Sequence, residues 1–173
     1  MRFVLTSTVI VGAFALSSCG SEQSGTITDE DGETVTYSVD GEGSDEMTTR
    51  ITGPDGEEVI ARSGADVAVN LPDGFSMYPG AKVVSNTTVS NNNDGNGSMI
   101  MFESEASPKE IAEYYRGQAE KAGITIQIDA NMNGSQMIAG ENEAEGTSFM
   151  VTASRDEGEM TSAQMMIGTK LDQ

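Results

Sequence analysis

The chain has 173 residues, of which 28 are acidic and 9 basic, with no histidine, no tryptophan and one cysteine. A net charge of −19 opposes nucleic acid and anionic lipid headgroups, since both attract basic surfaces. The missing histidine removes imidazole acid–base catalysis, and a single cysteine allows no disulfide within the chain. The length allows one domain, or one domain with a small companion. Eleven methionines against five phenylalanines suggest that methionine does much of the core filling.

The first eighteen residues read as a removable leader. Met1-Arg2 is basic, Phe3 to Leu16 is mainly apolar, and Ser17 and Ser18 are small. The apolar run is shorter than the roughly 20 residues a spanning helix needs, and Thr6, Ser7, Thr8 and Gly12 interrupt it. Leu16-Ser17-Ser18-Cys19 resembles the lipobox of bacterial lipoproteins: an aliphatic residue, two small ones, then the cysteine. That resemblance implies cleavage before Cys19, acylation of its sulfur and usually of its new amino end. Two or more acyl chains anchor stably where one binds marginally. Asp after the cysteine is the retention signal in enteric bacteria. Here Gly20 follows, so the expected location is the periplasmic leaflet of the outer membrane. Gly20 to Ser24 is then a short polar tether.

Residues 25–73 form an acidic segment whose only bases are Arg50 and Arg62. It contains a repeat: Ile27-Thr28-Asp29-Glu30-Asp31-Gly32-Glu33-Thr34-Val35 aligns with Ile51-Thr52-Gly53-Pro54-Asp55-Gly56-Glu57-Glu58-Val59. Each copy sets β-branched residues around an Asp-Gly turn, the local signature of a hairpin. Strands are predicted near 25–28, 34–39, 47–52 and 58–62. Val35, Tyr37 and Val39 alternate with polar residues, which predicts one buried face. Isolated hairpins are marginal in water, so the pair is expected to pack on itself or on the second half. Asp29 and Asp31 in one loop, and Asp40 and Asp45 in another, bring hard oxygen donors close together. They are the candidate ligands for calcium, although neither loop has EF-hand spacing. Turn acids without metal are the competing explanation.

Leu71-Pro72-Asp73-Gly74 is a turn and the expected boundary of a second domain, residues 74–173. Strands are predicted at 81–90 and 98–104. In the second, Ile100 and Phe102 face one way and Met99 and Met101 the other, which predicts a central strand covered on both sides. Ser107-Pro108-Lys109-Glu110 reads as a capping box that opens a helix. Ile111, Tyr114, Tyr115, Ala119 and Ala122 form its apolar stripe, and Gly123 closes it. Ile124, Ile126, Ile128 and Ala130 alternate with polar residues. Asn133-Gly134 is a hairpin turn. Strands follow at 136–139, 147–154 and 160–169, with Phe149, Val151, Ala153, Ala163, Met165 and Ile167 inward. The fold class expected is α+β: an antiparallel sheet in the order ββαββββ with one covering helix, preceded by the small acidic hairpin segment.

This half also resembles a domain of uncharacterised bacterial envelope lipoproteins. The resemblance rests on the Tyr78-Pro79-Gly80-Ala81 lead-in and on the aromatic pair before arginine, Tyr114-Tyr115-Arg116. It covers about residues 75–168 and supports the fold more than a function. The Trp those proteins carry after the helix glycine is replaced by Ile124.

Among chemical constellations, Lys82, Lys109, Lys121 and Lys170 have no serine motif near them for a Ser–Lys dyad. Met99, Met101, Met165 and Met166 sit on neighbouring predicted strands, and thioethers can hold Cu(I). Alternation sends Met165 and Met166 to opposite faces and divides the set, which favours core filling. The functional expectation is a non-enzymatic envelope lipoprotein, without a cofactor, that binds an envelope partner or packs there, tethered to the membrane through Cys19. A calcium-dependent acidic module is the alternative.

Overall fold

The computed structural model describes residues 22–28, 32–41, 46–91 and 95–169. Ten strands and one helix follow in chain order. The first four strands are β1 (Glu22–Thr28), β2 (Thr34–Asp40), β3 (Glu46–Thr52) and β4 (Glu58–Gly64). Next come β5 (Lys82–Asn91), β6 (Asn96–Ser104) and the helix α1 (Pro108–Lys121). The last four are β7 (Thr125–Met132), β8 (Ser135–Asn142), β9 (Thr147–Ser154) and β10 (Thr161–Thr169).

All ten strands join one sheet in the order β1-β2-β3-β4-β5-β6-β10-β9-β8-β7, and every neighbouring pair is antiparallel. This overturns the expected α+β class. The described residues are mostly β, with one short helix, and the acidic hairpins are the continuation of the same sheet. β4 pairs with β5 from Val59↔Asn91 to Gly64↔Asn86. That pairing gives the hairpins a ladder partner, which two-stranded units need in water.

The repeat folds as a repeat. Ile27 faces Val35 across the first hairpin, and Ile51 faces Val59 across the second. Gly32 and Gly56 have φ of +84° and +78° at the two turns, a region that costs glycine nothing. The second turn closes with the Gly53 N–H donating to the Glu57 carbonyl at 2.8 Å. The expected burial of Val35, Tyr37 and Val39 on one face is not found; all three are only half-buried. They share a face, but no second layer lies over it.

The second layer covers only the other end of the sheet. α1 packs over β7, β8 and β9. It begins as the sequence requires: Ser107 accepts from the Glu110 N–H at 3.3 Å, and the Glu110 carboxylate accepts from the Ser107 N–H at 2.8 Å. The Ser107 hydroxyl, which also donates to the Glu110 carboxylate at 2.7 Å, and then the Ser107 N–H lower the Glu110 carboxyl from its ordinary value. Ile111, Ala112, Tyr115 and Ala119 are buried, and Gly123 follows the helix at φ +75°. Below the helix lie Ile100 and Phe102 of β6, Ala163, Met165 and Ile167 of β10, Phe149, Val151 and Ala153 of β9, and Ile138 of β8.

The long connection from β4 to β5 completes this layer. Val69, Leu71, Phe75, Met77 and Tyr78 pack against the core from it. The Leu71–Gly74 turn lies inside the connection, with the Phe75 N–H bonded to the Pro72 carbonyl at 3.1 Å. Buried Asn86 of β5 holds the start of the connection to the sheet, its Nδ2 donating to the Ala68 carbonyl at 3.0 Å.

Two expectations about facing fail for identifiable reasons. β6 is central in strand order, but only its Ile100 and Phe102 side is covered; Met101 is 47% exposed. In β7 the pairing with β8 shifts between Ile126 and Ile128. This bulge sends Ile128 to the open side, 47% exposed, while Ile124 stays buried. A one-residue slip moves every later side chain to the opposite face. Gly140 of β8 sits beside the irregularity, where any Cβ would run into the Thr125 carbonyl.

Candidate functional site

Hydrogen bonds between α1 and the β4–β5 connection give a physical account of the aromatic pair. The Tyr78 N–H donates to the Tyr115 hydroxyl at 3.0 Å. Tyr114 donates to the Met77 carbonyl at 3.2 Å and lies 2.9 Å from the Ser76 hydroxyl. Gln118 accepts from the Ser76 N–H at 2.8 Å. The Tyr78 and Tyr114 rings meet edge-on, with centroids 5.0 Å apart. Arg116 reaches Asp129 of β7 at 2.6 Å. The tyrosines are therefore fasteners, and burial pushes the Tyr115 hydroxyl up to about 12. A phenol that holds its proton this tightly in a packed core is a poor acid or base near neutral pH.

The fastened connection leaves a groove along the helix-side face of β4, β5, β6 and β10. Its volume is about 510 Å³. Leu71 and Pro72 form one wall, Ile60 and Ile167 supply apolar floor, and Thr88 and Ser98 line it with hydroxyls. The register explains the convergence: Arg62 faces Thr88, Thr88 faces Ser98, and Ser98 faces Ile167 across successive strands. Ser98 also ties the wall down, its hydroxyl donating to the Asn70 carbonyl at 3.2 Å. Among the described residues that line this groove, Arg62 is the only cation. Among the described residues no carboxylate forms an ion pair with it. Arg50, the other base of the acidic segment, is bound to Glu58 at 2.7 Å.

A second depression, of about 370 Å³, lies on the opposite, open face of the sheet, along β5, β6, β9 and β10. Gly97 and Gly168 oppose each other there on β6 and β10. With no side chains they leave a trough bordered by Val89, Met99, Met150 and Met166.

The sequence-derived site residues fall elsewhere. Cys19, Asp29, Asp31 and Asp45 lie outside the described residues. Asp40 ends β2 opposite Thr48. Among the described residues no group of three or more Asp, Glu, His or Cys side chains is placed to hold a metal ion. Neither groove was read from the sequence. Arg62 carried a weak signal, as one of two bases in an acidic stretch. The groove itself needs β4 and β5 paired across a connection that folds back, which no local pattern announces.

Compared with known families, residues 83–163 match a family model described as START domain-like. The matched stretch is slightly under half of the chain and runs from β5 into β10. Domains of that description are generally binding domains rather than enzymes, and the match is compatible with a binding role. Neither the curated proteins nor the solved structures include a match. Among the described residues no helix is long and apolar enough to cross a membrane.

Proposed function

We propose that the chain is a non-enzymatic binding module of the cell envelope, and that its ligand is a small amphipathic molecule with an anionic head. The groove that ends at Arg62 is the observation that carries this reading. Its apolar floor and wall suit a short hydrocarbon body, the Thr88 and Ser98 hydroxyls suit a polar neck, and the Arg62 guanidinium suits a carboxylate, sulfonate or phosphate. In a chain this acidic, an arginine with no ion-paired carboxylate among the described residues offers a place for a negative group. The START domain-like match supports a binding role. It begins at residue 83, inside β5, and so leaves Ile60 and Arg62 of β4, and Leu71 and Pro72 of the connection, outside the matched stretch.

The same proposal places the module on a lipid anchor at Cys19, facing the periplasm from the outer membrane. The lipobox-like Leu16-Ser17-Ser18-Cys19 and the absence of Asp at position 20 support this. A Cys19→Ala chain is expected to remain an unprocessed precursor or become soluble. Maturation and membrane fractionation like wild type would remove the anchor from the proposal. Gly20→Asp is expected to move the protein to the inner membrane of an enteric host.

Calorimetric titration with decanoate, below its micelle concentration, tests the groove. Saturable binding is expected, about tenfold weaker in Arg62→Gln, the loss corresponding to roughly 1.4 kcal/mol. Decyltrimethylammonium, with the same tail and the opposite charge, should bind no better to wild type than to Arg62→Gln. Equal decanoate affinity in the two proteins, or none in either, would sink the assignment.

A further inference from the structure

The open face carries methionines in a pattern that core filling does not explain. Met166 of β10 is directly opposite Met99 of β6 on one side and Met150 of β9 on the other. Three thioether side chains therefore stand on three adjacent strands at one level. The division expected between Met165 and Met166 is real: Met165 is fully buried under the helix layer, while Met166 is 41% exposed. Of the sequence grouping, Met165 alone lies on the covered face; Met101 shares the open face with Met99 and Met166. Met150 replaces Met165, and the set comes together on the side facing away from the core.

We propose that Met99, Met150 and Met166 form a site for a soft monovalent metal ion, Cu(I). Thioether sulfur is a soft donor that selects Cu(I) over the harder divalent ions. Neighbouring strands are about 4.8 Å apart, and opposed Cβ atoms are about 4.5–5.5 Å apart. Methionine has three rotatable bonds, so the two outer side chains can lean over the central one. The room for that movement is present. Gly97 and Gly168 adjoin Met99 and Met166 on the same face and open the 370 Å³ trough that the three methionines border. Larger residues at the two glycine positions would prop the thioethers upright. Among the described residues that border the trough there is no lysine or arginine, and the net charge of −19 raises the local concentration of any cation.

Core filling fails as an explanation because the residues are outside the core. An apolar contact face alone does not call for sulfur at three adjoining positions; leucine or valine would bury more rigidly. The site also lies across the sheet from the Arg62 groove, so the two proposals stand or fall separately.

Anaerobic titration of the full chain in mild detergent tests the site, with Cys19→Ala so that the thiol does not compete. Cu(I) is supplied against a chromogenic chelator, and Ag(I) serves as a redox-inert probe. One equivalent is expected to bind, and Met166→Leu, which keeps volume, should weaken it roughly tenfold or more. Met132→Leu and Met160→Leu, exposed methionines elsewhere, should change nothing. With methyl-labelled methionine, Ag(I) should shift the Met99, Met150 and Met166 signals and leave that of Met165 in place. Stoichiometry that follows total exposed methionine, equal losses in the control variants, or shifts spread over all methionines would overturn the site. So would wild-type affinity in a folded Met166→Leu protein.

Discussion

The two ends of the sheet use the same strand chemistry and reach different states. In β1–β4, Val35, Tyr37 and Val39 alternate with polar residues. In β9, Phe149, Val151 and Ala153 do the same. The first three are half-buried and the second three are 3% exposed or less. None of the described side chains in β1–β4 is buried, whereas all fourteen buried residues of the core cluster lie between Ile100 and Ile167. The hydrogen-bond ladder runs through both regions, so the ladder does not make the difference. A second layer does: α1 packs on β7, β8 and β9, and the β4–β5 connection packs on the core they share. Alternation records a preference for one face, and burial requires something to put over it.

The largest expected effect tests this contrast directly. Phe102→Ala removes a ring that is 1% exposed and should cost about 3–5 kcal/mol of unfolding free energy. Tyr37→Ala, a similar truncation in the single-layer region, should cost no more than about 1 kcal/mol. Chemical denaturation of the two variants gives the comparison. Hydrogen exchange extends it: the amides of β2 and β3 should exchange by local opening, and those of β6, β9 and β10 only with global unfolding. Equal protection at both ends would mean that the hairpins have a covering the fold does not show.

A smaller effect tests how the second layer is fastened. Tyr115→Phe leaves the Tyr78 N–H without its acceptor and should cost about 1–2 kcal/mol. Its pH dependence has a definite sign. Burial raises the Tyr115 hydroxyl to about 12, while an unfolded tyrosine loses its proton near 10. The folded chain therefore holds this proton where the unfolded chain gives it up. The contribution is complete below about pH 10 and is lost as pH rises towards about 12. Tyr115→Phe should lack that part of the alkaline decline in a melting series against pH. An unchanged decline would assign it to other groups.

The smallest effects lie on the helix surface. Gly117→Ala should stabilise by about 1 kcal/mol, because a Cβ there meets nothing within 4 Å. Ser107→Ala should lose about 1 kcal/mol through the cap. In wild type the Glu110 half of that cap has a lowered carboxyl, so its contribution is present above the ordinary carboxylate range and fades as pH falls. Glu110→Gln should flatten the acid side of the stability profile slightly. All three variants should leave exchange in β1–β3 unaffected if the two ends of the sheet respond separately.

Local chemistry made much of this molecule readable. The Asp-Gly repeats, the Asn133-Gly134 turn, the capping box at Ser107 and the inward sets of β9 and β10 depend on neighbours a few residues apart, and the sequence contains those neighbours. The tertiary structure decided three other things. It continued the acidic hairpins into the main sheet, which turned an expected α+β molecule into a mostly-β one, because strand edges pair through backbone groups that carry no sequence signature. It shifted the register at β7, because one bulge reverses the facing of everything after it. It also brought Arg62 to a groove, and Met99, Met150 and Met166 into one row, because those meetings depend on which strands lie side by side. Alternation assigns each residue a face, and only the order and register of the strands assign it companions.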